Sequence, residues 1–416
     1  MDSADDAAHV SGMAEDVELL VAGGGLNGLL LGIACAGVGL KVAVVDRQDP
    51  ATMVGERFDG RASTIAYGSK LVLEGAGLWP EIAPEAQPIF EIRVANDDSP
   101  LFLHYDHREL SDHTPLGYVV ENRVLRRVML HCAARLPSLT LLAPQTVETV
   151  ARADAGAVAT LGDGAEFTAR LVAAADGKDS PLRQAAGIRT VDWSYRQMGI
   201  VTTVEHERSH GGIAIELFLA TRPFAILPLT GNRSSIVWTE ATGLASALMR
   251  LADADFAEEL RARFGDFLGH IEPVGPRWSY PLSLMQAERY IARRLALVGE
   301  AAHVIHPIAG QGLNVGIRDV AALAEAIIDA RRLGLDIGDD SVLERYQRWR
   351  RFDAILLAGI TDGLNRLFAM TFPPVEAARH LGLAAANRMP NLKRFLMLHA
   401  MGMLGDRPRL ARGEPL

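Results

Sequence analysis

The sequence predicts an α/β protein: a Rossmann-like dinucleotide-binding unit, an inserted antiparallel sheet, and a helical C-terminal region. Three observations carry this. Residues 17–46 run strand, glycine turn, helix, strand, acid; residues 195–240 read as successive strands with little helix between them; and the last stretch shows apolar residues at helical spacing.

The first of these organises the chain. Val17 to Ala22 is a short apolar strand, followed by glycines at 23, 25 and 28, a charge-free helical stretch, Gly39, and a second strand that ends on Asp46. A dinucleotide site needs this order. Gly23 lets the chain turn off the strand, Gly25 lets the backbone approach a pyrophosphate, and Gly28 lets the helix pack close. The helix N-terminus then offers free N–H groups to phosphate, and Asp46 offers acceptors to ribose hydroxyls. A rival reading exists, because Leu19 to Leu40 is uncharged, long enough to span a bilayer and carries Gly-x-x-x-Gly spacings. Three adjacent glycines, Asn27 among them and the regular second strand argue against a span. Taken alone, the unit admits NAD, NADP or FAD equally.

Composition sets bounds. With 416 residues, 49% hydrophobic and 22% charged, the chain fits a soluble globular protein with two domains or one with insertions. A net charge of −9 argues against nucleic acid as a partner. Cys35 and Cys132 give neither a disulfide framework nor a metal pattern and read as core. The acidic N-terminal stretch lacks the features of a signal peptide, so a disordered lead-in and a cytoplasmic location are expected.

Further along, Asp59 to Ser63 precedes a helical pattern over Thr64–Ala76. Arg61 there is either a surface ion pair or a phosphate or flavin contact. Ile89–Val94 and Leu101–Tyr105 read as paired strands. A short strand from Tyr118 leads into a helix with Asn122, read as its N-cap, and Arg123 at the start. Gly162-Asp163-Gly164 signals a hairpin. A second strand–turn–helix junction follows at Asp176-Gly177, continuing through Ser180 to Arg183. Strands are then expected at 199–204, 212–219, 224–228 and 234–239, a helical stretch at 244–268, and one more strand at 278–284. The third junction is a strand ending on Gly299-Glu300, then His303, His306 and Pro307, then Gly310-Gln311-Gly312-Leu313-Asn314 and a helix over Gly316–Ala330. His303 and His306 lack a third ligand, so no metal is expected. A glycine-rich loop before a long helix makes a nest of N–H groups for an anion or an electron-rich ring edge.

Together the three junctions resemble the class A FAD-dependent aromatic hydroxylases, the para-hydroxybenzoate hydroxylase-like family, and within it the ubiquinone-biosynthesis branch. The likeness runs from Val17 to about Leu410. It rests on Gly23, Gly25 and Gly28; on Asp176-Gly177 with Arg183; and on Gly299-Glu300-Ala301-Ala302-His303 with Pro307 and Gly310 to Asn314. Residues 58–69 and 117–123 add similarity to the branch. The resemblance implies FAD as cofactor, with Asp46, Arg61, Arg123, Asp176, Gly177, Glu300 and Gly310 to Asn314 on it, and NAD(P)H as co-substrate. It implies ring hydroxylation with O₂ through a flavin C4a-hydroperoxide. Pro307, Gly312 and Asn314 would position the flavin ring, with no base assigned. Glu300 departs from the family's usual aspartate and reaches one methylene further toward ribitol, where hydrogen bonds hold best near about 2.7 Å.

The same likeness implies a polyprenylated phenol as substrate. Phe218, Phe224, Leu227 and Pro228 are the candidate wall, with ordinary sheet core as the alternative. From Arg379 to Arg412 there are seven Lys/Arg against one acid, Asp406. Met-rich helical patterns in 364–416 therefore suggest a peripheral membrane or partner-subunit contact, or a plain helical layer on the flavin domain. A halogenase reading lacks its Trp-x-Trp-x-Ile-Pro stretch; a flavin-fold reductase, a hydroxylase of another aromatic compound and a non-catalytic assembly subunit stay open. The expected division is a lead-in at 1–16, an FAD-binding domain at 17–88, 106–190 and 286–345, a substrate domain at 89–105 and 191–285, and a helical region at 346–416.

Overall fold

The computed structural model describes residues 15–55, 59–96, 102–219, 222–307, 310–370, 372 and 388–416. Most of the expected lead-in lies outside these residues, but Glu15 and Asp16 already belong to the first strand, Glu15–Ala22. That strand sits in the middle of a parallel sheet. It pairs with Val42–Val45 on one side and Glu166–Ala174 on the other. Leu139–Leu142 and Leu295–Leu297 extend the sheet outward, again in parallel. Val42–Val45 is buried throughout, because parallel strands with helices on both faces see no solvent on either. The helix Leu26–Ala36 packs against Asn122–Arg135 and against the long helix Gly312–Arg332. Cys35 is buried within this layer, and burial pushes its thiol up to about 12, so it is inert core. The hairpin at Gly164 returns Ala157–Leu161 antiparallel onto Glu166–Ala174.

The second large sheet is antiparallel apart from one pair. Its frame is two 17-residue strands, Thr190–His206 and Ile271–Ala287, longer than the separate short strands expected. Each continues past a break in register, between Ser194 and Gln197 and between Val201 and Thr203, where the bulge re-aims the strand instead of ending it. Arg196 takes a left-handed φ of 55° at the first of these. Ile213–Leu219, Arg222–Leu229 and Arg233–Ala241 complete the meander. Glu91–Asn96 joins it in parallel beside Ile213–Leu219, and Phe102–Asp106 forms the edge. At the opposite edge His303–Val304 pairs with Met285–Gln286, which ties the third junction to this sheet. One sheet face packs on the helices Thr242–Leu248 and Asp253–Phe264 through Phe224, Trp238, Phe256 and Leu260. The other face borders a cavity.

A third, small sheet joins Ala62–Ala66, Gly117–Glu121 and Gln87–Ile89. Thr64 to Ala66 are therefore extended, not helical as the periodicity predicts. Pairing Ile65 with Tyr118 and Thr64 with Val119 suits their β-branched side chains, and the helix starts only at Tyr67. The C-terminal region contains the 30-residue helix Asp340–Ala369 and the helix Pro390–Ala400. Leu381 and Leu383 fall outside the described residues. Arg409 pairs with Glu325 and Asp329, and Met401 O accepts from Gly68 N at 2.9 Å, so this end of the chain is packed on the first domain's helices.

Candidate active site

A continuous cavity of about 1030 Å³ runs between the parallel sheet's C-terminal edge and the antiparallel sheet. Gly23, Gly25, Gly28 and Asp46 line one end. The turn is glycine for steric reasons: Gly23 has φ +105°, and a Cβ on it would meet Ala175 O at 2.2 Å. A Cβ on Gly28 would meet Gly23 O at 1.8 Å. At Gly25 a Cβ would meet nothing within 4 Å. It is the N-cap of Leu26–Ala36 and has no side-chain cap, so the helix N–H groups face open cavity. Asp46 is fixed at the rim, since Oδ2 accepts from Gly24 N at 2.5 Å and Oδ1 from Gln48 N at 2.7 Å. A carboxylate oxygen keeps a further lone pair after one such bond.

Asp176 and Gly177 line the cavity from the end of Glu166–Ala174. Asp176 Oδ2 accepts from Leu182 N at 3.3 Å, whereas Oδ1 is buried with no hydrogen-bond partner. Burial raises this carboxyl's pKa. Arg183 is buried behind it and donates to Ala301 O at 2.9 Å, which links the second junction to the third. Ser180 caps its short helix by accepting from Arg183 N.

The third junction wraps over the first. Gly299 and Gly316 lie so close to Asn27 that a Cβ on either would come within 2.4 or 2.3 Å of its Nδ2. Asp319, fully buried, accepts from Gly299 N at 3.1 Å and meets His303 Nε2 at 2.6 Å and Arg350 Nε at 2.9 Å. Burial works against this carboxylate, but His303 and Arg350 hold its pKa below the usual range. His303 is thus a structural partner. His306 and Pro307 line the cavity. Burial pushes the His306 imidazole down to about 4, so it is neutral at pH 7, with the Tyr195 ring edge-on at 4.9 Å. The two histidines join no third ligand among the described residues; the grouping there that could hold a cation is Glu91, His104 and Asp106, whose acids pair with Arg93 and Arg108.

The helix begins at Gly312, four residues before the expected Gly316, so Gly312, Leu313 and Asn314 form its first turn. No side chain caps it, and the orphan N–H groups of that turn are positioned toward the cavity that Gly310, Gln311, Gly312 and Leu313 line. Asn314 closes the same turn. Its side chain is buried, accepts from Ala66 N at 2.8 Å and donates to Thr64 O at 2.7 Å and Gly310 O at 3.0 Å. It stitches the loop to the strand Ala62–Ala66. Glu300 lines the cavity close enough to Arg61 to add to that residue's charge stabilisation.

Arg61 forms an ion pair and also borders the cavity. It lines the cavity, forms a fork to Asp59 through Nε and Nη2, both at 2.9 Å, and lies over Tyr280 at 4.7 Å. Burial opposes the Asp59 carboxylate, yet Arg61 and Arg126 hold it well below the usual range. Arg123 is not among the lining residues and pairs with Glu121 at 3.3 Å. Arg126, three residues on along the same helix, lines the cavity instead and donates to Asp59 Oδ2 at 2.7 Å. Sequence reading missed it; the i, i+3 spacing on a helix that starts at Asn122 is the signal that could have found it. Asn122 is not a cap either. The N-cap is Glu121, and Asn122 joins Ser63 and Asp59.

The candidate wall divides by strand pleat. Phe218 and Leu227 line the cavity, as do Pro223 and Ala225. Phe224 points to the opposite face and is core with Trp238, and Pro228, in phase with Phe224, is likewise not a lining residue. Leu364, Met397, Ala400 and Met401 close another side. The open space before Gly25, the orphaned Asp176 Oδ1 and the uncapped turn at Gly312 fit a dinucleotide that carries a ring at one end.

Comparison with known proteins agrees with this geometry. The family model described as FAD binding domain matches residues 16–354. The chain belongs to that family, its cofactor is FAD, and it is an FAD-dependent hydroxylase of the class A flavoprotein type. It is 50% identical over 411 residues to the ubiquinone hydroxylase UbiL of Rhodospirillum rubrum, covering 98% of this chain and 95% of that one. It is 33% identical over 392 residues to the 3-demethoxyubiquinol 3-hydroxylase of Escherichia coli, covering 94% and 99%. Among solved structures, p-nitrophenol 4-monooxygenase PnpA of Pseudomonas putida superposes with a TM-score of 0.79 at 21% identity, over 94% of this chain and 100% of that one, a likeness of fold. No helix among the described residues is long and apolar enough to cross a membrane.

Proposed function

We propose that this protein uses NAD(P)H and O₂ to hydroxylate the aromatic ring of a polyprenylated phenol in ubiquinone biosynthesis. The observation that carries the reading is the shape of the cavity, which continues from the glycine turn at Gly25 to a wide apolar wall on the antiparallel sheet. The names of the similar ubiquinone hydroxylases support the substrate class. FAD supplies the redox chemistry when bound, taking hydride from NAD(P)H and activating oxygen at the flavin ring.

The chain's own residues do the rest. Gly23, Gly25, Gly28 and Asp46 hold the ADP half. Asp176, Gly177, Glu300, Arg61 and Arg126 bind the ribityl-pyrophosphate region. The N–H groups of Gly312 and Leu313 would hold the flavin ring, where preorganised donors stabilise negative charge without reorganising. Pro307 would help position it. Asn314 acts through Gly310 by fixing the loop. Phe218 and Leu227 belong to the wall that keeps water from the reacting centre. In domain terms, 17–88, 106–190 and 286–345 bind FAD, and 89–105 with 191–285 form the substrate domain.

A prenyl chain stays in a bilayer, so the enzyme must meet a membrane surface or a partner that hands over the lipid. Phe352, Leu356, Ile360 and Leu364 form an exposed stripe at four-residue spacing, and exposed Leu392 and Phe395 lie on the next described helix, with exposed Met389 as its N-cap. Leu364 also lines the cavity, which favours entry from this side. The test is direct. Purified protein should be yellow and should oxidise NAD(P)H faster when a prenylated phenol is added, and a deletion strain should accumulate one quinone precursor. A protein that cannot be reconstituted with FAD, or that gives no hydroxylated lipid, would overturn the reading.

A further inference from the structure

The cavity wall on the antiparallel sheet is mostly apolar and carries one carboxyl, Glu216. Ala214, Glu216 and Phe218 alternate along Ile213–Leu219 and all line the cavity. In register with Glu216 stand Ala225 on one neighbouring strand and Val94 on the other, and both sides of the wall there are hydrocarbon. Among the described residues Glu216 has no hydrogen-bond or ion-pair partner, whereas Asp46 and Asp176 in the cofactor half of the cavity each accept a backbone hydrogen bond. Burial pushes the carboxyl up to about 8. A carboxyl left unpaired in an apolar wall weakens a fold and has no structural use.

We propose that Glu216 receives the ring hydroxyl of the phenolic substrate, as the hydrogen-bonding post that sets which edge of the ring faces the cofactor. A neutral carboxylic acid both donates and accepts, so it can satisfy a phenol, which also does both. The surrounding Val94, Ala225 and Phe218 then take the hydrocarbon beside that hydroxyl. Ligand sites are commonly apolar with a few placed polar groups that fix orientation, and Glu216 is that group here. The assignment rests on the phenol hydroxylase reading above.

The test uses the FAD-loaded full chain and two ligands, a prenylated phenol and the same prenylated benzene without the hydroxyl. Binding is followed by the change in flavin absorbance. The native protein should prefer the phenol by about tenfold or more, the usual weight of a hydrogen bond that would otherwise leave a buried group unpaired. Glu216→Leu should lose that preference while binding the deoxy compound as well or better, and Glu216→Gln should restore part of it. Among the described residues Glu216 has no protein partner to orphan, so the leucine variant is expected to fold and keep its FAD. A Glu216→Leu protein that discriminates as the native one does would overturn the assignment alone. A native protein that binds neither ligand would overturn the substrate reading, and the assignment with it.

Discussion

Arg350 and Asp319 meet where solvent does not reach: Asp319 has no exposed surface and Arg350 has 4%. Replacing Arg350 by methionine keeps most of the volume and removes the guanidinium that faces Asp319, leaving the His303 contact. Breaking a buried pair in this way costs about 3–5 kcal/mol, because the remaining charge has lost its compensation. A chain of this length gains about 0.9 kcal/mol per kelvin of unfolding entropy, so the expected fall in apparent Tm is about 3–6 °C. Thermal unfolding followed by circular dichroism reads this directly. The control is Arg348→Met on the same helix, whose partner Glu344 is exposed. There the expected loss is under about 0.5 kcal/mol. Asp319 also holds Gly299 N, so FAD should leave the Arg350→Met protein faster. If both variants melt within a degree of the native protein, the view that this buried cluster anchors the third junction is refuted.

Three other outcomes are expected. Arg126→Met should weaken FAD binding about tenfold, as loss of a charge-assisted contact predicts, while Arg123→Ala changes it less than twofold; flavin fluorescence on release measures both. Glu300→Asp should tighten FAD severalfold by shortening the reach to the cofactor, and unchanged affinity would show that the longer side chain is accommodated. Glu216 should make stability depend on pH. Its folded pKa of about 8 lies above the ordinary 4.5, so its stabilising share is intact below pH 4.5 and is lost as pH rises through 8. The full loss has a ceiling of about 5 kcal/mol, lowered by water that enters the cavity. Denaturant titrations at pH 5 and pH 9 should therefore show Glu216→Gln gaining on the native protein at pH 9 only.

The parts of this fold legible in the sequence are those where local sterics leave one solution. Gly23 and Gly28 are forced by backbone contacts under 2.5 Å, so their spacing announces the turn. Strand phase is not forced in that way. Phe224 looks as suitable for a cavity wall as Phe218, and only the pairing of Leu217 with Phe224 decides that it faces the helices. The bulges that carry Thr190–His206 past Ser194 likewise leave no local mark, so one long strand reads as a shorter one. Asn122 resembles a cap because caps are local, whereas its actual partner Asp59 is 63 residues away. The Asp319 cluster draws on Gly299, His303 and Arg350, and no sequence window contains it. Glu216 is hidden for the opposite reason: an acid in a strand looks like a solvent-facing residue until the wall around it is built.

The contact of Asn27 with both Gly299 and Gly316 constrains how this enzyme can change over time. Position 27 lies in the opening helix and the two glycines lie almost 300 residues later, yet all three share one small volume. Gly299→Ala or Gly316→Ala made singly should impair the fold, whereas either combined with Asn27→Gly should be tolerated far better. Gly299 adds a second restriction through its φ of +61°, so the compensated pair should work better at Gly316. Such coupled substitutions make the cofactor half of the molecule drift as a block. Individual residues there are not free to be sampled one at a time, and a laboratory library that varies only the glycine-rich loops would miss the viable combinations.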